Sequence, residues 1–353
     1  MSILKILKNV NLFGKITDIA IDNGKFAFIG KCEGEGIDLS GKKIYPGLID
    51  IHSHGVAGKD SSVDELSCMA DFMLANGTTT WYPTTMTVAW GDLVRVTNVN
   101  LELGHGANIP GFHLEGPFIN KKHKGAQNEG FILTPTLDLL KECKNVKIIT
   151  VAPEVEGAME FIEKCGIVVA IGHTDCDYDT AKEAFRRGAK SLTHTFNVMN
   201  PIHHRAPGPI PAGADCGAYA QLISDGKHIH PSVCRLLYKL YGKEHVTLIS
   251  DSMMPTGVGD GEYFVGGQKV IVKDGTARTE GGALAGSTTT LFECVKTAIG
   301  MGIPEYDAVY MASTTPATLM GLNKGKIEVG YDADFIVVDD DFNLCMSVAR
   351  GEF

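Results

Sequence analysis

Eight short, largely apolar runs divide the middle of this chain: residues 46–55, 78–83, 111–117, 146–151, 167–174, 191–195, 220–225 and 246–251. Runs of this length and composition read as strands buried on both faces, the pattern of a parallel sheet. Helix-like segments occupy most of the intervals. Residues 178–187 are amphipathic, with Ala181, Ala184 and Phe185 on one face. Thr134-Pro135-Thr136 predicts another helix start, with a capping hydroxyl and proline at the first helical position. Eight strands alternating with helices predict an α/β fold, a (β/α)8 TIM barrel over residues 46–321. A doubly wound open sheet is the competing arrangement, but it gives no reason for polar residues at so many strand ends.

The two ends of the chain have a different rhythm. Residues 10–13, 16–21 and 25–29 are short β-like segments separated by Gly, Asn and Asp turns, and residues 325–339 have the same character. Two β-rich ends around a long middle predict one discontinuous small domain, residues 1–45 plus 322–353, because chain termini often lie close in space.

The first barrel strand carries Pro46-Gly47-Leu48-Ile49-Asp50-Ile51-His52-Ser53-His54-Gly55. Alternate side chains of a strand share a face, so His52 and His54 project together from its end. Glu115, His173, His194 and Asp251 likewise sit at or just past the carboxyl ends of predicted strands, the face on which barrels build active sites. Histidine and carboxylate donors without thiolate suit Zn(II), Fe(II), Mn(II) or Co(II). Glu115, His173 and His194 would hold one such ion. His52 and His54, with Glu115 bridging, would hold a second. Asp251 remains as a carboxylate facing the attacking water, placed to take its proton and return it to a leaving group. Capping of a following helix is the alternative role for Asp251.

The formal net charge of -10 disfavours nucleic acid and anionic membrane as partners, so an anionic substrate must be held by local groups. Nine cysteines with no CxxC spacing read as reduced thiols, most of them buried, in a cytoplasmic protein. Residues 1–5 lack the profile of a signal peptide, and no apolar run approaches a membrane span.

Several segments together resemble the amidohydrolase superfamily, and within it the amino-sugar phosphate deacetylases. They are the 46–55 motif, His113-Leu114-Glu115-Gly116-Pro117-Phe118, Ile171-Gly172-His173-Thr174 and Thr193-His194-Thr195-Phe196-Asn197-Val198-Met199. His203-His204-Arg205, Ser224-Asp225-Gly226-Lys227-His228, Leu248-Ile249-Ser250-Asp251 and Leu284-Ala285-Gly286-Ser287 follow in the same order. The resemblance implies a barrel with a small β-sandwich domain. It also implies a divalent metal, one or two ions per subunit, with Zn ahead of Fe, Mn or Co. The implied reaction removes the acetyl group of N-acetyl-D-glucosamine 6-phosphate in amino-sugar catabolism and cell-wall recycling. The galacto epimer, another N-acyl amine, or a metal-free binding paralogue are the alternatives.

By position, Glu115, His173 and His194 match the superfamily's metal ligands and Asp251 its catalytic aspartate. The fourth strand ends Val151-Ala152-Pro153-Glu154, without the lysine many relatives use to bridge two metals, which agrees with a glutamate-based branch; some members of that branch lack the first-strand histidine pair, and its presence here as His52 and His54 leaves a second ion open. His228 matches a residue that polarises the scissile carbonyl or orients the sugar, with His230 as its rival. Asn197, the Val198 backbone and Arg205 match phosphate and sugar contacts, and a guanidinium binds phosphate as a bidentate fork. From sequence alone, Arg205 reads equally as a solvated loop residue. Leu284, Ala285, Gly286 and Ser287 match the lining of the acetyl and sugar pocket; a tight turn before a helix starting at Ser287 also explains them. Ala126 and Gln127 fall in the sugar pocket, where relatives often carry His in place of Gln127. Ala206 and Asn200 are further departures, so substrate identity is less constrained than reaction type. The implied assembly is a homodimer, with Arg205 acting in its own or the neighbouring subunit.

Overall fold

The computed structural model describes residues 4–353; Met1–Ile3, where the amino-terminal segment begins, lie outside the described residues. Eight parallel strands form one sheet in chain order: β1 (Leu48–Ser53), β2 (Thr78–Thr85), β3 (Phe112–Glu115), β4 (Val146–Val151), β5 (Val168–Ile171), β6 (Ser191–Leu192), β7 (Tyr219–Ile223) and β8 (Val246–Ile249). The Asp251 N–H donates to the His52 carbonyl at 2.9 Å and the His54 N–H to the Ser252 carbonyl at 2.7 Å. These bonds join the ends of β8 and β1 and close the ring, so the (β/α)8 barrel is the fold.

Val, Ile and Thr dominate these strands because branched side chains pack well on a pleated surface. A cluster of Ile49, Ile51, Tyr82, Ile148, Ile223 and Ile249 joins strands on opposite sides of the ring, with Ala317 of helix Thr314–Met320 beneath it. A larger cluster packs the surrounding helices, including Ala181, Ala184 and Phe185 of helix Tyr178–Arg187, the face read from the sequence. Every β-to-β interval holds a helix.

Strands from both chain ends share a second sheet, as expected. Phe335–Val338 pairs antiparallel with Lys43–Pro46, which pairs with Lys5–Leu12, and the sheet continues through Lys15–Asp22 to Lys25–Ile29. Leu7, Val10, Ile19, Ile21, Phe26, Ile44, Phe335 and Val337 form its buried core. Gly47 is the hinge between this sheet and β1; a Cβ there would stand 2.2 Å from the Thr79 hydroxyl oxygen.

Three local expectations are corrected. The helix expected from Thr134 is Leu137–Glu142, capped by Thr136, whose extended backbone lets its hydroxyl accept from the Leu139 N–H. The segment after β8 does not run directly into a helix at Ser287. It forms an antiparallel sheet, Gly261–Val265, Gln268–Lys273 and Thr276–Thr279. The helix then starts at Leu291, where Thr290 and Glu293 form a capping box. All nine cysteines are free, but only Cys143, Cys176, Cys234 and Cys294 are buried, fewer than expected. No helix among the described residues is long and apolar enough to cross a membrane.

Candidate active site

The carboxyl ends of β1, β3, β5, β6 and β8 deliver six side chains to one point. Glu115 is the hub. Its Oε1 lies 2.8 Å from His194 Nε2, 3.1 Å from His52 Nε2 and 3.2 Å from His173 Nε2; its Oε2 lies 3.2 Å from His54 Nε2. Asp251 Oδ1 stands 3.3 Å from His54 Nε2 and 3.5 Å from His52 Nε2. All six residues are buried.

Local backbone geometry aims them. His173, His194 and Asp251 have φ of 49°, 25° and 48°, the left-handed region that non-glycine residues seldom enter. Each turns its chain just past a strand, so the side chain faces the barrel mouth. Gly116 follows Glu115 at φ 87°, and a Cβ there would lie 2.2 Å from the Thr87 hydroxyl. The hydroxyl of Thr87 donates to the Glu115 carbonyl at 3.1 Å, fixing the strand end from the other side.

Outer partners set the imidazoles. His52 Nδ1–H donates to Gln221 Oε1 at 2.8 Å, and His173 Nδ1–H donates to the His123 carbonyl at 2.9 Å. With Nδ1 protonated, each ring turns an Nε2 lone pair inward, the usual way a protein prepares a metal-binding histidine. His173 and His194 then bring two Nε2 atoms within 3.1 Å, and His52 and His54 within 3.3 Å. Four ligands at about 2.0–2.1 Å from one ion stand roughly 3.3 Å apart, which is close to the spacing of these pairs. The donor set therefore fits a divalent metal, in two groups that share a carboxylate: His52, His54, Glu115 and Glu115, His173, His194. The other donor-rich strand-end residue, His113, is used differently. Its Nδ1 lies 2.9 Å from the Ile51 carbonyl and its Nε2 2.9 Å from Thr150 Oγ1, so it braces β1 against β3 and β4.

These groups strongly polarise one another. Burial raises the Glu115 carboxyl, but His52 and His173 outweigh it and hold it well below the usual range. Burial also raises Asp251, and His54 and His52 outweigh that too, leaving it lowered. Burial lowers His54, but Asp251 and Glu115 push it up to about 10. That is the electrostatic signature of a cation-binding cage: the carboxylates stay charged and demand positive charge beside them.

A cavity of about 280 Å³ opens above this floor. His54, Glu115, His173, His194 and Asp251 line its base, with Ala126, Gln127, Asn197, Val198, His228, Leu284, Ala285 and Gly286 around the walls. The sequence thus brings together thirteen of its sixteen candidate site residues on the cavity lining. His52 lies beneath it as part of the cage. Two do not reach it. The Ser287 hydroxyl is buried and donates to the Ser250 carbonyl at 2.5 Å, because its N–H and Oγ tie the loop to β8. Arg205 is exposed, with its guanidinium 2.7 Å from His204 Nε2 and outside the cavity. His230 caps helix Pro231–Tyr241 and leaves His228 as the cavity histidine.

His228 is held by a residue the sequence pattern did not single out. Its Nδ1–H donates to Asp225 Oδ2 at 2.7 Å, and the His228 N–H donates to Asp225 Oδ1 at 2.9 Å. Burial lowers the His228 pKa, but Asp225 outweighs it and raises the net value. The i, i+3 spacing of Asp225 and His228 was the available signal. The inserted antiparallel sheet was also missed, and it supplies Val265, Gln268 and Val270 to the cavity wall. Gln268 Nε2 donates to the Ala126 carbonyl at 2.8 Å, tying that sheet to the 125–127 loop.

A family model described as "Amidohydrolase family" matches residues 44–351. The chain is 34% identical over 356 residues to N-acetylglucosamine-6-phosphate deacetylase of Lysinibacillus sphaericus, covering 95% of this chain and 92% of that protein. It is 30% identical over 353 residues to N-acetylgalactosamine-6-phosphate deacetylase of Escherichia coli O157:H7, covering 95% and 93%. A solved structure of an aspartate-to-alanine variant of N-acetyl-D-glucosamine-6-phosphate deacetylase from Mycobacterium smegmatis, in complex with N-acetyl-D-glucosamine-6-phosphate, superposes with a TM-score of 0.91. That match is 29% identical and covers 99% of this chain and 98% of the other.

Proposed function

The chain belongs to the amidohydrolase family, and from that premise we propose that it hydrolyses the N-acetyl group of N-acetyl-D-glucosamine 6-phosphate, releasing acetate and D-glucosamine 6-phosphate. One observation carries the proposal: four imidazole Nε2 atoms, Glu115 and Asp251 converge on the floor of a closed-ended cavity. Its volume of about 280 Å³ suits a single sugar, near the lower end of the roughly 300–1,000 Å³ typical of small-molecule sites.

Glu115, His173 and His194 would hold the first divalent ion, and His52 and His54 a second; Zn is the first choice, with Fe, Mn or Co as alternatives. A divalent ion held there would supply Lewis-acid activation of the acetamido carbonyl and of a water. Asp251 takes a proton from the attacking water and passes it to the departing nitrogen, so a C–O bond forms as the C–N bond breaks. His228, its Nδ1–H pinned on Asp225, directs Nε2–H at the carbonyl oxygen as negative charge develops there. Leu284, Ala285 and Gly286 enclose the acetyl and sugar, and Asn197 with the Val198 N–H faces the phosphate.

Arg205 enters as part of a homodimer. It is exposed on a loop with Ile202, His203 and His204 also exposed, which supports a crossing of this loop to the partner's cavity. The free cysteines support a reducing, cytoplasmic setting. The galacto epimer is the second substrate to test, because one relative of comparable coverage acts on it by name. The test is acetate and free-amine release from both epimeric sugar 6-phosphates with Zn, Fe, Mn or Co added to chelated protein. Turnover of the gluco epimer with one of these ions is expected. Release from neither sugar with any ion would overturn the assignment.

A further inference from the structure

Gln127 stands where the sugar pocket was expected to gain a substrate contact, yet both ends of its amide are already committed to the protein. The side chain is buried. Its Oε1 accepts the Thr87 N–H at 2.6 Å, and its Nε2 donates to Glu115 Oε2 at 2.5 Å. The orientation is forced. A flipped amide would set a carbonyl oxygen against the Glu115 carboxylate and an N–H₂ against the Thr87 N–H. Gln127 is thus a fixed donor aimed at one particular oxygen of the hub carboxylate.

The two Glu115 oxygens consequently differ. Oε1 faces His194, His52 and His173 and, among the described residues, receives no hydrogen bond from outside the cage. Oε2 faces His54 alone among the imidazoles and is shared with Gln127. A charge-assisted hydrogen bond withdraws electron density from the oxygen that accepts it and occupies one of its lone pairs. Oε2 is therefore the poorer metal donor. Oε1 lies within reach of both positions, so an ion that takes it at His173, His194 leaves the His52, His54 position with the weakened Oε2, 3.2 Å from His54.

We propose that Gln127 is a positioning residue that makes the two metal positions unequal. It holds Glu115 so that Oε1 serves the His173, His194 position, which fills first, and it weakens the carboxylate offered at His52, His54. Partners outside a metal's direct ligands commonly shift affinity by about 10–100-fold, so the two positions should differ by at least about tenfold in affinity. The inference deepens the metal-site assignment above and rests on it.

The test uses chelated full-length protein titrated with Co(II), read by its visible absorption and by bound-metal analysis, with no activity measurement needed. The parent should bind in two steps, or bind a single ion tightly. Gln127→Met fills the same space without polar atoms and should narrow the gap between steps by about tenfold or more. Gln127→His keeps a donor toward Glu115 and should restore the parent's gap. Circular dichroism and the thermal midpoint check that each variant is folded; should the Met variant fail to fold, Gln127→Ala takes its place. Two equal steps in the parent, or an unchanged gap in the variant that lacks the donor, overturns the role of Gln127 while leaving the metal centre standing. Absence of any Co(II) uptake by the parent overturns both.

Discussion

Replacing Asp251 by Asn separates its proton transfer from its place in the fold. The backbone there is left-handed, at φ 48°, a conformation in which Asn is as well tolerated as Asp. The main-chain groups of Asp251 close the barrel, donating to the His52 carbonyl at 2.9 Å and accepting from the Ser287 N–H at 2.6 Å. Neither bond involves the side chain. The amide keeps the carboxylate's shape beside His54 and His52 but cannot take a proton at neutral pH. A positioned general base contributes about 10²–10⁴-fold, so kcat should fall by that factor, about 3–5 kcal/mol of barrier at 1.36 kcal/mol per decade. KM should stay within about threefold, because the lost interaction belongs to the transition state. The assay is free-amine release, with metal content measured on the same preparation so that loss of the ion is not mistaken for loss of the base. A kcat within about threefold of the parent at equal metal content would refute proton transfer by Asp251.

Asp225→Asn should leave metal content unchanged and lower kcat by about 10–100-fold, the order of effect expected when the partner orienting a catalytic imidazole is lost. Because Asp225 raises the His228 pKa, the same substitution should move the basic limb of the pH–rate profile to lower pH; an unmoved limb argues against a protonated His228. The pair also contributes to stability with a definite sign. The raised His228 makes its contribution fully present below its ordinary value of 6.5 and lost as pH rises through the folded value. The lowered Asp225 makes its contribution present above 3.8 and lost as pH falls through its folded value. Gly116→Ala combines φ 87° with a 2.2 Å approach to the Thr87 hydroxyl, and urea unfolding should show a loss of about 1–3 kcal/mol; an unshifted midpoint would mean the Glu115 turn is slack. Arg205→Ala should raise KM for the phosphorylated sugar and spare the unphosphorylated one, and equal loss on both would remove Arg205 from phosphate recognition.

The parts legible in the sequence follow local rules. Alternation placed His52 and His54 on one face, and the recurring apolar runs located the eight strands that carry Glu115, His173, His194 and Asp251. What escaped depends on partners far apart in the chain. His52 is set by Gln221, 169 residues away, and nothing near either residue announces the pairing. The antiparallel insert at 261–279 escaped because its outward face carries Phe264 and Ile271 exposed beside Glu262 and Lys269. That mixture blurs the apolar-in, polar-out alternation by which a strand is recognised. Ser287 and Arg205 show how far position in the chain alone can place a side chain. Their positions in the chain matched a pocket, but the Ser287 hydroxyl satisfies the Ser250 carbonyl and the Arg205 guanidinium lies beside His204, outside the cavity lining.

The strained backbone at the strand ends explains how so many polar and charged groups are held at one point. Left-handed geometry at a non-glycine residue costs on the order of 1–3 kcal/mol and persists only where its surroundings over-determine it. Each of the three strained residues is pinned by main-chain bonds at or beside it. The His173 carbonyl accepts the Asn120 N–H at 3.0 Å, and the His194 carbonyl accepts the Asn197 N–H at 2.9 Å, while Thr195 N–H reaches the Gln221 carbonyl at 2.8 Å. Asp251 is tied on both sides to β1 and the Ser287 loop. The barrel's hydrogen-bond closure, buried and cooperative, therefore holds the ligands in place. An ion arriving there meets a cage whose entropy of assembly was met on folding, which is the condition for tight and geometrically selective binding.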